Sequence, residues 1–491
     1  MESRPFVSHQ LADISSQLQL HSNGDVLITG ITHESRDVRS GDLFVAIPGL
    51  EQHGINFLDQ AQSRGAVAVA SDELGCERAK AVGMPYVLLE SPRLDMAHLA
   101  QHVYGYPDKN LQLIGVTGTN GKTTVTQMLR HMLTEMSVKV GVIGTLGAFI
   151  GSQQIPTGRT TPESTDLYAL LAQMHASGVE TVCMEVSSHA LALDRVAGLH
   201  FAAALFTNLS QDHLDFHGDM ESYFATKARL FESDMTDLAI INTDTDWGKR
   251  LIGISSAQSI ATVGSQGQWK IDHVRTETSG QTVFDFTAQG EQHHVVVPMF
   301  GSFNAGNAAL CLTALQLLNR DLRIAISALK SLPQVPGRFE VAWHSDEKLA
   351  IVDYAHTPDA IEKVLKEIRA VQPKRIITVF GCGGDRDPAK RPIMGQVAAS
   401  QSDIVIVTDD NPRSEDPASI RNAILAGIDS AQVRVEVIPD RRLAIRQALI
   451  LAEPGDVIAI LGKGHETGQE IAGFVTPFDD REVTREEATH A

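Results

Sequence analysis

A chain of 491 residues is too long for one ordinary core and points to roughly two to four domains, and a 43% hydrophobic share places it among globular proteins. The formal net charge of −19 excludes non-specific nucleic-acid binding through a basic stripe, although a few local Arg, Lys and backbone N–H groups can still hold an anionic small molecule. Cys76, Cys183, Cys311 and Cys382 form no C-x-x-C pair, Met1–Pro5 opens no signal-peptide core, and no apolar run spans a bilayer, so a cytoplasmic protein with reduced thiols and no nucleic-acid or membrane partner is expected.

The first segment carries short apolar runs split by glycine turns, Leu43–Ile47 before Pro48-Gly49 and Ala66–Ala70 after Gly65. That pattern predicts a small α/β unit, closed by a break at Tyr104-Gly105-Tyr106-Pro107. A buried-strand run from Leu111 to Val116 opens the next unit. After a glycine-rich turn, Val125, Met128, Leu129, Met132, Leu133 and Met136 recur at helical spacing. Apolar runs at 138–142, 182–186 and 202–206 then alternate with helical stretches, which implies a mostly parallel sheet covered on both faces. Polar sequence from Ser255 to Gln292 reads as an antiparallel excursion. A last unit enters near Pro336-Gly337 and carries buried-strand runs at 376–380, 404–408 and 457–461. The expected organisation is α/β with a small N-terminal domain over 1–91, a central domain over 92–335 and a C-terminal domain over 336–491.

Thr117-Gly118-Thr119-Asn120-Gly121-Lys122-Thr123-Thr124 lies between the predicted strand and the predicted helix. Glycines let backbone N–H groups approach phosphate, and the helix N-terminus adds its positive dipole. Lys122 suits the β- and γ-phosphates of ATP, and the Thr123 hydroxyl suits Mg²⁺. The usual phosphate-loop spacing asks for glycine at 116, where this chain has Val116, so the loop is a variant.

This variant resembles the phosphate loop of the Mur ligase family. In order along the chain, Glu185-Val186-Ser187-Ser188-His189, Asn208–Gly218 with Tyr223 and Lys227, Gly301–Asn307, Gly337-Arg338-Phe339-Glu340 and Asp353–Pro358 resemble further motifs of that family. The resemblance runs from about Ile31 to Glu466. It implies a UDP-binding N-terminal domain, a central P-loop ATPase-type domain and a C-terminal Rossmann-like domain. The implied activity is an ATP-dependent ligase of peptidoglycan precursor synthesis, working as a monomer through an acyl phosphate.

The resemblance also implies roles for residues. Gly118, Thr119, Asn120, Gly121, Lys122, Thr123 and Thr124 would hold ATP, with Asn304 on the adenine side and Arg338 on the phosphates. Two Mg²⁺ ions are implied, one at Thr123 and a second held by Glu185, His213 and Lys227. A protonated lysine cannot bind a metal, and the family's matching lysine is carbamylated, so a carbamate is expected on Lys227. By composition alone Lys227 reads as a surface helical lysine, Glu185 as a solvated strand end and His213 as a turn histidine. Asp353 and His356 would close on ATP or form a domain-entry turn. Ser35, Leu50, Glu51 and Gln52 match the uridine side of the acceptor, and Thr160, Thr161, Ser187 and Arg195 its muramoyl-peptide side. Close relatives carry a glutamine where this chain has Leu193.

Asp410-Asn411-Pro412-Arg413 follows a buried-strand run, and by residue type alone it reads as a turn. The resemblance implies that it recognises diaminopimelate, which carries one carboxylate more than lysine. A guanidinium matches such a carboxylate with two parallel hydrogen bonds, a role for Arg413 and for Arg386. Asp410, Asn411 and Pro412 would shape the loop, and Gly462 and Glu466 would meet the amino group.

Overall fold

Short apolar runs joined through amphipathic helices build parallel strands, because a crossover must carry the chain back to the same edge of the sheet. The structure, a computed structural model, describes residues 8–49, 52–277, 280–345 and 347–490. The chain divides into two compact units, one of residues 1–209, 213–263 and 313–325, the other of 210–212, 264–312 and 326–491.

The first unit holds two sheets. In the smaller, Gly30–Thr32, Asp42–Ala46, Ala68–Ser71 and Tyr86–Leu88 run parallel, with Ser22–Asn23 antiparallel at the edge. In the larger, Val140–Gly144, Thr181–Glu185, Gln112–Thr117, Ala203–Phe206, Leu238–Asn242 and Ser259–Gly264 lie side by side and parallel. The strand expected over 138–142 runs two residues later, because Val138 is used in closing the preceding helix through a bond to the Leu133 carbonyl. Helix Lys122–Glu135 buries Val125, Met128, Leu129, Met132 and Leu133, the predicted apolar face.

One continuous apolar core serves both sheets. Leu43, Val45, Ala68 and Ala70 of the small sheet join Met96 and Leu99 of helix Pro92–Val103 and Leu167, Leu170 and Leu171 of helix Ser164–Ala176.

The second unit carries antiparallel strands Trp269–Thr276, Thr282–Ala288 and Glu291–Val297, the excursion read from the sequence. It also carries a sheet in the order Glu340–Ser345, Lys348–Asp353, Val457–Leu461, Ile376–Phe380, Ile404–Val407 and Arg434–Val437. All neighbours there are parallel except the first pair. Helix Pro358–Ala370 packs in one apolar cluster and helix Arg441–Leu451 in another, so both faces are covered, as in a doubly wound fold. The chain end docks through helix Asp480–Ala488. There Asp480 receives two hydrogen bonds from the fully buried Arg441 guanidinium, at 2.7 and 2.8 Å.

Candidate active site

In open parallel sheets ligands gather beyond the carboxyl ends of strands where the strand order reverses. Gln112–Thr117 lies between Thr181–Glu185 and Ala203–Phe206, and all three strands end at residues singled out in the sequence. Gly118 adopts φ +143, and a Cβ there would fall 1.9 Å from Thr207 Oγ1, so the loop needs glycine at this point. The segment after Ala203–Phe206 clamps the loop. Asn208 accepts at Oδ1 from the Asn120 N–H at 3.1 Å and donates through Nδ2 to the Asn120 carbonyl at 3.1 Å. Its own carbonyl accepts from the Thr119 N–H at 3.0 Å. Gly121 caps the helix at φ +90, Thr124 is buried in the first turn, and Lys122 Nζ donates to the Gly118 and Thr119 carbonyls at 2.7 and 2.8 Å. Val116 fills the position of the missing glycine as a fully buried strand residue.

Glu185 ends its strand almost fully buried, not solvated. Its Oε2 accepts from the Thr123 hydroxyl at 3.1 Å and the Thr145 hydroxyl at 3.0 Å, and its Oε1 from the Thr145 N–H at 2.9 Å. Lys227, on helix Met220–Ala228, is also buried. Its Nζ donates to the Gly118 carbonyl at 3.0 Å and lies 4.7 Å from the centre of the Tyr223 ring. His213, at φ +53, is exposed and sets its ring against His189 and Tyr223, with centroids 4.8 and 6.3 Å apart. Among the described residues, no group of three or more His, Cys, Asp or Glu is disposed to hold a metal. What the loop offers is a hydroxyl and a carboxylate in contact, hard oxygen donors that fit Mg²⁺, which takes few protein ligands and completes its shell with water and phosphate.

The acceptor-side residues connect to the same carboxylate. Thr160 Oγ1 lies 3.1 Å from Thr145 Oγ1, and Thr161 donates to the Glu185 carbonyl at 2.8 Å and receives the Ser187 N–H at 3.1 Å. Arg195 is buried, donating to the Thr161 carbonyl at 3.2 Å and pairing with Glu163 at 2.9 Å. Glu163, which sequence reasoning missed, also meets Arg93 and Arg159, so three guanidiniums converge on one carboxylate. Leu193, half-buried, closes a short helix through its N–H to the His189 carbonyl. Ser35 donates to Gln60 at 2.7 Å and Gln52 is exposed, whereas Leu50 and Glu51 lie outside the described residues.

In the second unit, three loops assemble at the carboxyl ends of Ile376–Phe380, Ile404–Val407 and Val457–Leu461. A Cβ on Gly462 would meet Asp410 Oδ2 at 2.5 Å, and one on Gly384 would meet the Pro412 carbonyl at 1.9 Å, so the loops are in backbone contact. Arg413 takes φ +51 and donates to the Gly384 carbonyl at 2.6 Å, with Glu470 at 3.6 Å. Asn411 donates to Glu466 at 2.7 Å. Arg386 is exposed and donates to the Asp385 carbonyl at 3.0 Å. Lys463 and Glu470 belong to this assembly and carried no role in the sequence reading.

Nearby in the fold of that unit, the Arg338 guanidinium lies 4.9 Å from the Tyr354 ring centre, and Tyr354 also contacts the rings of His356 and His465. Burial raises the Asp353 carboxyl, although it accepts from the Phe339 and Ala355 N–H groups. Burial, helped by the positive Arg338 and Arg481, lowers the His465 imidazole to about 4. Burial also lowers His356. Asn304 is fully buried and spends its amide on the Phe300 carbonyl and Asn307.

Three family models match in chain order: the Mur ligase family catalytic domain over residues 27–104, the Mur ligase middle domain over 116–315 and the Mur ligase glutamate ligase domain over 337–464. The UDP-N-acetylmuramoyl-L-alanyl-D-glutamate–2,6-diaminopimelate ligase of Streptomyces coelicolor is 43% identical over 97% of this chain and 96% of its own. That of Aquifex aeolicus is 42% identical over 94% and 93%. A solved ligase of the same description superposes with a TM-score of 0.67 at 33% identity, covering 94% of this chain and 95% of its own. The D-alanyl-D-alanyl ligase of Acinetobacter baumannii, at 16% identity and a TM-score of 0.66, shares the fold over 99% of each chain.

Proposed function

This chain belongs to the Mur ligase family, and we propose that it adds meso-2,6-diaminopimelate to UDP-N-acetylmuramoyl-L-alanyl-D-glutamate at the expense of ATP, in cytoplasmic peptidoglycan precursor synthesis. The observation that carries this reading is the Thr123–Glu185 contact. A phosphate loop meets a buried carboxylate to which the acceptor-side Thr161 is itself bonded. The near-full-length likeness to diaminopimelate ligases supports the choice of donor.

The γ-phosphoryl group passes from ATP to an oxygen of the D-glutamyl carboxylate, releasing ADP. The amine of the donor then attacks the acyl carbon, loses a proton, and expels phosphate. Two anions meet in the first step, so neutralising charge is the main task. Lys122 exchanges its two loop carbonyls for phosphate oxygens, and the backbone N–H groups of 118–124 hold the rest of the triphosphate. Thr160, Thr161, Ser187 and Arg195 fix the dipeptide end, with Ser35 and the 50–52 loop on the uridine side. Asn304 and Arg338 serve adenine and phosphate, and Asp353 and His356 close on the nucleotide. Arg386, Arg413, Glu466 and the backbone of 410–412 and 462 receive the donor.

Thr123, Glu185, His213 and a carbamate on Lys227 are the residues that would hold Mg²⁺, whose bound charge offsets that of the transferring phosphoryl group. Domains over 1–91, 92–335 and 336–491 divide this work in a monomer. Among the described residues no helix is long and apolar enough to cross a membrane.

The deciding experiment is amine-dependent phosphate release with ATP, Mg²⁺, the UDP-linked dipeptide and each donor in parallel. Faster turnover with diaminopimelate than with lysine is expected. Preference for lysine, or no amine dependence, overturns the reading.

A further inference from the structure

Lys463 is buried to 0% exposure within the donor loops, an unusual place for an ammonium group. Its burial is matched by complete hydrogen bonding. Nζ donates to Asn411 Oδ1 at 3.0 Å, to Glu466 Oε2 at 3.2 Å and to the Gly468 carbonyl at 2.7 Å, one acceptor for each of its three protons. Asn411 Oδ1 also accepts the Glu470 N–H at 3.0 Å, so two donors fix which end of the amide is oxygen. The Asn411 Nδ2 end is therefore turned to Glu466, donating to Oε2 at 2.7 Å.

Both bonds to Glu466 fall on Oε2, while the side chain remains 31% exposed. The network grips one carboxylate oxygen from within the loops and leaves Oε1 to the solvent side. A long carboxylate side chain otherwise samples many rotamers, and holding it removes that entropy before a ligand arrives. The ammonium spans two of the three loops, since Asn411 follows Ile404–Val407 whereas Glu466 and Gly468 follow Val457–Leu461.

We propose that Lys463 is a positioning residue for the amino-acid donor: its buried ammonium orients the Asn411 amide and holds Glu466 Oε2, so that Glu466 Oε1 is presented to the donor's ammonium group. Lys463 does not touch the donor. The inference rests on the assignment of these loops to the donor, and it explains why a charge is retained where a hydrophobic side chain would pack at lower cost.

The test is steady-state kinetics of the full-length protein and of Lys463→Met, which keeps the length and removes the charge. The expected result is a rise of roughly 10- to 100-fold in KM for diaminopimelate, the size of effect a displaced binding group produces, with KM for ATP and for the UDP-linked dipeptide unmoved. Lys463→Gln, which keeps donor protons, should recover part of the loss. An unchanged donor KM, or a parallel rise in all three KM values, overturns the proposal. If neither Lys463 variant folds, Asn411→Asp is read instead. It leaves Lys463 an acceptor but sets a carboxylate against Glu466, and an unchanged donor KM there also overturns the proposal. Failure of the native protein to use diaminopimelate defeats the functional reading itself, before any variant is compared.

Discussion

The Thr123 hydroxyl donates to Glu185 Oε2 at 3.1 Å, tying the first turn of the helix after the phosphate loop to the end of the neighbouring parallel strand. Removing this carboxylate takes away an oxygen that Thr123 and both polar groups of Thr145 are arranged around. Glu185→Gln is expected to lower kcat by about 10²–10³-fold, the usual loss when one preorganised electrostatic group is deleted from a polar site. Phosphate release at saturating substrates measures it, and retention of more than a tenth of the activity would remove Glu185 from the site.

Lys122→Ala should abolish turnover while the protein stays folded. The ammonium's two visible bonds are to carbonyls of its own loop, and the loop is held independently by Asn208. Circular dichroism and thermal melting close to those of the native chain, with no phosphate release, are the expected pair of results.

Arg413→Ala removes a guanidinium that reaches only a loop carbonyl and a half-exposed Glu470. A hydrogen bond to a charged group is worth about 1.5–3 kcal/mol, so kcat/KM for diaminopimelate should fall roughly 10- to 150-fold with lysine turnover little changed. Equal losses for both donors would show that Arg413 shapes the loop without reading the second carboxylate.

Much of this was legible in advance and some was not, and the division has a physical basis. Strands such as Ile376–Phe380 and Val457–Leu461 are buried on both faces, so their apolar runs announce themselves. The phosphate loop is legible because its chemistry lies within eight consecutive residues. Burial pattern says nothing of partners, however. Glu163 meets Arg93 from 70 residues away, and Lys463 meets Asn411 from 52. Composition would have left Lys227 on the surface, whereas the helix carrying it turns that side chain under the Gly118 carbonyl. Arg195 was recognisable as a cation, but not as one whose charge is shared with Glu163.

Asp480→Ala should be among the most damaging changes outside the site. It strands the fully buried Arg441 without its carboxylate, and breaking such a pair from one side costs about 3–5 kcal/mol. Urea unfolding monitored by a probe in the second unit checks this. A loss under 1 kcal/mol would mean that water replaces the lost partner.

The stability of the second unit should fall with acid through His465. Burial chiefly, with Arg338 and Arg481 adding to it, keeps the folded imidazole neutral down to about pH 4, whereas the unfolded chain takes up a proton near 6.5. Between those values the unfolded state binds more protons, so stability rises with pH across the window and is lost as pH falls. The full effect is on the order of 3 kcal/mol. His465→Asn should flatten the dependence of Tm on pH between 4 and 6.5, and an unaltered slope would exclude this histidine as its source.

The apolar core shared by the small and large sheets of the first unit bears on how the protein can be divided. Helix Pro92–Val103 begins just after the 91/92 junction, and Met96, Leu99 and Val103 are covered from both sides of it. A fragment ending at 91 would lose the lid over Leu43 and Val45, and the remainder would begin with an oily helix face bared to water. Neither piece is a sound choice for expression as a stand-alone uridine-nucleotide module; a cut that keeps the first 263 residues together respects the way the protein is welded.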